Sequence, residues 1–345
     1  MKQKRYAGVL AAVITYLVHF PGMSASWAKP VDQTEHSAGS LWAHDNLVAW
    51  CAVPFESKAR EPEERAQMLE KLGFTKFAYD WRDKDVPTFN AEIEALQRHR
   101  VDLLAWWFPF DAGDPGAKHA LDVFKRHDAH PQLWVALADW EIIMPKSADG
   151  MSPEERHQLS IRVMRESLPK TPQEQDRRVR QAADRINALV RLAAPYGCKV
   201  ELYNHNGWFG MMDNEVAIIE RLRELGVADV GIVYNFSHAR DELHDDTVDF
   251  PATWRKIKPY VVAVNITGTS MDGILIYPGQ GDRELEMMRT IQDSGWTGPV
   301  GLIAEKGGDA AATLGNYLVG LDWLAAELRR PGSGGPLPFP IAPRG

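Results

Sequence analysis

From residue 46 onward the chain repeats one pattern: a short apolar run, a loop, then an amphipathic stretch. The apolar runs are Leu47–Cys51, Lys76–Tyr79, Val101–Trp107, Leu133–Ala138, Lys199–Tyr203, Val230–Tyr234, Val261–Ile266 and Val300–Ala304. Each has the length and the Val, Ile, Leu and aromatic content of a buried strand. Helical patterns lie between them at Pro62–Leu72, Asn90–His99, Arg178–Ala194, Asn214–Leu225, Pro251–Lys258, Glu284–Asp293 and Ala311–Leu328. Strand ends recur roughly every 30 residues, the length of one β-loop-α unit. Eight strands, each followed by a helix, predict an α/β protein with a (β/α)8 TIM barrel over 46–328. An open, doubly wound sheet is the rival, and it wants a Gly-rich phosphate loop after its first strand. Cys51-Ala52-Val53-Pro54 stands there instead. The interval from Ala138 to Tyr203 is double length. It holds an insertion at about 140–175, rich in charge and Pro, which falls in the loop after strand four and is expected to act as a lid.

The ends of the chain read differently. Lys2, Lys4 and Arg5 form a basic start, Ala7 to Phe20 an apolar run, and Ser24, Ala25, Ser26 and Ala28 supply small residues for cleavage. That is the layout of a signal peptide over 1–28, and the apolar run is shorter than the ~20 residues of a membrane span. Export, to the periplasm or beyond, is the expectation, with a linker at 29–45 and no membrane span once the signal is removed. After Arg330 comes a Pro- and Gly-rich segment, so 329–345 is expected to be a disordered tail. Cys51 and Cys198 are the only cysteines of 345 residues, too few for a disulfide framework, and both read as buried thiols. A net charge of −8 argues against a nucleic-acid partner, because binding phosphate backbones takes clustered Lys and Arg.

In a barrel of this kind reactive groups project from the C-terminal ends of the strands. Polar and aromatic residues gather at those ends here. Strand two is followed by Asp80, Trp81 and Arg82, and strand three closes with Trp106 and Trp107. These two neighbours cannot both face inward, so one packs under a helix. Asp139 and Glu141 follow strand four; Tyr203, His205 and Trp208 follow strand five. Asn235 and His238 end strand six, Asn265 ends strand seven, and Glu305 with Lys306 follows strand eight. Asn206-Gly207 reads as a turn. A carboxylate directly after a continuous apolar strand is costly unless paired or liganded, which marks Glu305 for function.

At these residues the sequence resembles the xylose-isomerase-like TIM-barrel superfamily of sugar isomerases and epimerases. The resemblance rests on Asn204-His205-Asn206-Gly207-Trp208-Phe209-Gly210, on Gly231-Ile232-Val233-Tyr234-Asn235-Phe236-Ser237-His238, on Val264-Asn265 with Gly268, and on Pro278-Gly279-Gln280-Gly281. It implies a divalent metal (Mn, Mg, Co or Zn) held by Glu, Asp, His and Glu at the ends of strands five to eight. This chain departs from that pattern. Tyr203 stands for the first ligand, Asn235 for the second and Asn265 for the third, and Glu305 alone matches. A carboxamide oxygen is a poor substitute for a carboxylate on a hard cation. A rearranged set of His205, His238 and Glu305 is the alternative metal site.

The resemblance implies a carbohydrate substrate and proton abstraction next to its carbonyl through an enediolate, as in an isomerase, an epimerase or a keto-sugar lyase. His205, His238, Glu305 and Lys306 are the candidate catalytic groups. Asp80, Trp81, Arg82, Trp107, Asp139, Glu141, Tyr203, Trp208, Asn235 and Asn265 are the candidate substrate contacts. Two readings stay open beside it. A non-catalytic sugar-binding barrel fits the replaced ligands. A glycoside hydrolase needs two carboxylates about 5–10 Å apart, for which Asp80, Asp139, Glu141 and Glu305 are available.

Overall fold

The structure, a computed structural model, describes residues 40–137, 150–205, 207–243, 249–269, 275–304 and 308–339. Eight parallel strands close into a barrel: β1 (Leu47–Trp50), β2 (Lys76–Tyr79), β3 (Asp102–Trp107), β4 (Gln132–Val135), β5 (Lys199–Tyr203), β6 (Gly231–Asn235), β7 (Val261–Ile266) and, last in the chain, β10 (Val300–Ile303). The seam between first and last strand is in register over four pairs, Leu47 with Val300 through Trp50 with Ile303. Two short strands, β8 (Gly268–Thr269) and β9 (Leu275–Ile276), pair antiparallel outside the barrel.

The helices between strands are α1 (Pro62–Lys71), α2 (Phe89–Arg98), α3 (Pro115–His127), α4 (Pro153–Ser167), α5 (Pro172–Ala193), α6 (Met212–Glu224), α7 (Phe236–Leu243), α8 (Phe250–Ile257), α9 (Glu284–Asp293) and α10 (Ala310–Arg329). Their starts follow helix-terminus chemistry. Pro at the first helical position has a preset φ and no N–H to satisfy, and it opens α1, α3, α4 and α5. Asp114, Ser152, Thr171 and Asp309 accept the orphan backbone N–H groups of the helices they precede.

The sequence reading and the structure agree on all eight barrel strands to within three residues at any end. They differ at α3, α4 and α7, which the sequence reading did not propose. The insertion expected at 140–175 contains α4, and its last residues belong to the first turn of α5. The C-terminal segment also departs from expectation as far as Phe339. Glu327 of α10 accepts the backbone N–H groups of Gly332 and Gly334, Trp323 donates to the Gly335 carbonyl, and the Phe339 ring lies 4.8 Å from that of Tyr277. The segment is thus folded back on α10, held there by the one carboxylate that collects two of its backbone N–H groups. The signal-peptide reading at 1–28 and most of the linker lie outside the described residues. No helix among the described residues is long and apolar enough to cross a membrane.

Two apolar cores follow from strand alternation. The inner one gathers Val48, Trp50, Ala78, Ala105, Trp134, Tyr203, Val233, Ala263 and Ile303. The outer one lies between strands and helices and includes Phe77, Tyr79, Trp106, Leu133, Leu202, Ile232, Val264 and Leu302. Trp106 faces outward onto the rings of Tyr79, Phe89 and Phe124, which leaves Trp107 to face in.

Candidate active site

The inward alternation of β5 and β6 carries Tyr203 and Asn235 to the C-terminal end of the barrel, and the segments just beyond carry His205 and His238. The β5 loop is shaped by small residues. Gly207 has φ +88, and a Cβ at Gly210 would lie 1.5 Å from the His205 carbonyl oxygen, so only glycine lets the chain pass there. Asn204 extends the ladder sideways: its Oδ1 accepts the Asn235 N–H at 2.7 Å and its Nδ2 donates to the Asn235 carbonyl at 3.2 Å. Asn235 then caps α7 directly, its Oδ1 accepting the Ser237 N–H at 2.8 Å. His238 therefore sits in the first turn of α7, with its ring centroid 4.4 Å from that of His205. Tyr203 lies beneath both imidazoles, 5.8 Å from His238 and 6.4 Å from His205, and the Trp107 ring stands 6.1 Å from His205.

Below the histidines the inner face is an aromatic floor. Trp50 contacts Trp134 edge to face at 4.9 Å and Tyr203 at 5.8 Å. The Trp50 indole N–H donates to the Tyr203 hydroxyl across the barrel at 2.9 Å, and the Asn235 Nδ2 donates to the same oxygen. Asn265 stands beside Asn235 in register. It is fully buried, and neither polar atom of its carboxamide has a hydrogen-bond partner among the described residues. An amide in that state carries a desolvation cost of about 1–3 kcal/mol until something polar meets it.

Asp80 completes the described rim. It is buried, is paired with the half-exposed Arg82 guanidinium, lies against the Cys51 thiol and is within electrostatic reach of His205. Burial pushes its carboxyl above the usual range, against the pull of Arg82. Cys51 itself has φ 56, a left-handed conformation that a non-glycine residue adopts at a cost, and this turns the chain at the end of β1.

The structure thus brings together His205, His238, Tyr203, Asn235, Trp107, Asn265 and Asp80 with Arg82. It separates two others. Trp208 belongs to the outer core, where its indole N–H is bonded to Gln175 of α5 at 2.8 Å and Arg178 lies over its ring, so it offers no face to a substrate. Trp81 packs edge-on against Phe89 and donates to the Trp107 carbonyl at 2.7 Å, a rim support. Asp139, Glu141, Glu305 and Lys306 lie outside the described residues. Trp50 and Asn204 are site residues the sequence reading missed. Trp50 looked like one more apolar strand residue, and only strand alternation signals its inward face.

The family model for the xylose isomerase-like TIM barrel matches residues 66–327. The chain belongs to that family. Among solved structures, this xylose isomerase-like barrel is similar to the 3-keto-D-glucoside 4-epimerase of E. coli, at 14% identity over 81% of this chain and 98% of that one, with a TM-score of 0.53. A xylose isomerase domain protein from Alicyclobacillus acidocaldarius matches at 16% identity over 82% and 99%, TM-score 0.53. A probable 3-DHS dehydratase from Bacillus anthracis matches at 11% identity over 79% and 97%, TM-score 0.53. At these identities the likeness shows the fold. No curated protein matches the chain.

The divalent metal implied by the resemblance can be tested against the donors. Three of its four positions are Tyr203, Asn235 and Asn265, all neutral. The Tyr203 oxygen already accepts two N–H donors, and the Asn235 Oδ1 caps α7. Hard divalent cations want carboxylates, and those neutral positions do not fit one. Of the rearranged set, His205 and His238 are together, while Glu305 lies outside the described residues. Among the described residues no three His, Cys, Asp or Glu side chains gather around a point.

Proposed function

We propose that this barrel is an exported carbohydrate-active enzyme of the sugar isomerase or epimerase type, acting by proton transfer at the carbon next to a sugar carbonyl. The observation that carries this reading is the His205–His238 pair, two imidazoles in ring contact above a polar, aromatic-lined floor. An imidazole accepts a proton through one nitrogen and donates from the other, so the pair supplies a base for one face of the substrate carbon and an acid beside it. Removing the proton pushes the carbonyl electrons onto oxygen and gives an enediolate. Reprotonation at the same carbon gives an epimer, and at the neighbouring carbon an isomer. The Trp107 ring supplies an apolar face of the kind that sugar rings stack on. The named relatives, an epimerase on a 3-keto-glucoside and a probable dehydratase, support a substrate with a carbonyl next to an acidic C–H. The donors at three of the four positions, Tyr203, Asn235 and Asn265, are neutral and do not suit a divalent cation, so the proton transfer falls to the imidazoles. Export is supported by the basic and apolar layout of residues 1–28. Recovery of protein beginning near residue 29 from the periplasm or medium tests it.

The test of function is solvent exchange. Wild-type protein incubated in D2O with free aldoses, ketoses and 3-keto-glucosides should incorporate deuterium at one sugar carbon, read by NMR. His205→Gln and His238→Gln should each slow incorporation by about 10²-fold or more. Sugar binding with no exchange from any member of the panel would leave a binding barrel in place of an enzyme.

A further inference from the structure

We propose that the C-terminal segment 332–339 is a strap that pins the turn after β9 against α10, and that this turn in turn sets the place of His238. The strap stands on packing alone. Its effect on turnover rests on the proton-transfer reading above, which it deepens.

The turn between β9 and α9 is closed by its own hydrogen bonds. The Tyr277 N–H donates to the Gln280 side chain at 2.9 Å, and the Gly279 and Gly281 N–H groups donate to one oxygen of Glu284 at 3.1 Å each. Two further elements close over it. Helix α10 comes so near that a Cβ on Gly320 would lie 2.1 Å from the Pro278 carbonyl oxygen. The strap supplies the other contact: a Cβ on Gly279 would meet Trp323 at 3.3 Å and Pro338 at 3.8 Å, and the Phe339 ring lies against Tyr277. Trp323 is shared between turn and strap. A Cβ on Gly334 would sit 2.8 Å from its indole nitrogen, and the indole N–H reaches the Gly335 carbonyl at 3.3 Å. Pro278 and Gly279 are buried, whereas the strap is exposed except at Gly334, Pro338 and Phe339, so its packing concentrates there. Pro336 and Pro338 restrict the backbone of the strap, which lowers the entropy lost when it docks.

The turn reaches the site by two routes. In the first, β9 pairs with β8, Ile276 opposite Gly268, and a Cβ on Gly268 would lie 2.4 Å from the Tyr277 carbonyl oxygen. Strand β8 packs against α7, whose first turn carries His238. In the second, the Tyr317 ring stands edge-on to Tyr277 at 5.7 Å, and its hydroxyl is bonded to the Thr267 hydroxyl at 2.9 Å, just beyond Asn265. Both routes start at Tyr277, the residue that Phe339 covers. An exposed segment held by few apolar contacts opens at far lower cost than the barrel unfolds, so its release is local.

The experiment reads backbone hydrogen exchange by mass spectrometry on the full chain for wild type, Phe339→Ala, Glu327→Ala and Phe339→Tyr, with deuterium wash-in resolved into kcat and KM. Phe339→Ala removes the ring on Tyr277, and Glu327→Ala releases the Gly332 and Gly334 N–H groups. Each should speed exchange in 276–281 by about tenfold or more and leave α2 and α5 unchanged. Wash-in kcat should fall about three- to tenfold in both, and Phe339→Tyr, which keeps the ring, should hold both readouts within about twofold of wild type. Unchanged exchange in 276–281 in both alanine variants overturns the strap. Faster exchange with wild-type kcat and KM overturns its hold on His238. Absence of wash-in from wild type overturns the proton-transfer reading, and the exchange rates then decide the strap by themselves.

Discussion

Asn265 and Gly301 show what one residue does to its neighbour in this barrel. They are paired in register across β7 and β10, and a Cβ built on Gly301 would lie 1.9 Å from the Asn265 Oδ1. Glycine at 301 is therefore the space into which the carboxamide fits. Gly301→Ala should cost about 1–3 kcal/mol by overpacking and push the amide out of place. Removing the amide as well, in Gly301→Ala with Asn265→Ala, should recover most of that cost, so the two changes couple by about 1 kcal/mol or more in urea unfolding. Strictly additive values would show that the two residues do not meet. Asn265 was legible in the sequence, because a polar residue ending an apolar strand announces itself. Gly301 was not, since its role exists only once β10 is registered against β7. Trp208 misled for a related reason. It follows β5 as Trp107 closes β3, but in a loop there is no two-residue alternation to say which way a ring faces.

At the scale of elements, the strands were readable because both of their faces are buried, so each is a continuous apolar run between polar loops. Helix α3 was not. Its buried face is Ala117, Ala120, Leu121, Val123 and Phe124, small at the start and crowded at the end, and the apolar signal is diluted by Lys118, His119 and Asp122. The terminus carries the information instead. Asp114 accepts the Gly116 N–H at 2.7 Å and also faces the Ala117 N–H, with Pro115 opening the helix, and Asp128 closes it in the left-handed region. Asp114→Ala removes those acceptors and should lower stability by about 1 kcal/mol, while Asp114→Asn should cost less than half of that. Equal losses in the two variants would mean that charge at the helix start, rather than the hydrogen bonds, holds α3.

For the whole molecule, the ionisable groups set where along the pH scale the barrel is most stable. Asp309 sits where α10 begins near the closing seam. Hydrogen bonds from Lys58 and Arg60 hold its carboxyl down at about 2, below the ordinary 3.8, so its contribution is present above pH 3.8 and is lost as pH falls through 2. On the other side stand Glu201 and His44. Glu201 is enclosed in the barrel with one oxygen on the Gly231 N–H, and burial pushes it from 4.5 up to about 7. The folded state then binds that proton more tightly than the unfolded chain does, so stability is full below about pH 4.5 and falls as pH rises through about 7, by about 3 kcal/mol at the end of that window. His44, bonded to Asp322 of α10, is raised above 6.5; its pairing stabilises below that value and fades as pH climbs past it. Both groups weaken the alkaline side, which places the optimum at about pH 4, where the Asp309 contribution is complete and the Glu201 contribution has not begun to fall. Thermal unfolding should therefore give a Tm that peaks there and drops by several degrees by pH 8.5. Glu201→Gln should flatten most of that drop without touching the acid limb, because it keeps an acceptor for Gly231 and removes only the titration. A wild-type Tm that stays level or rises between pH 5 and 8.5 would mean that the buried carboxyl is ionised at little cost, solvated by something the strand interior alone does not provide.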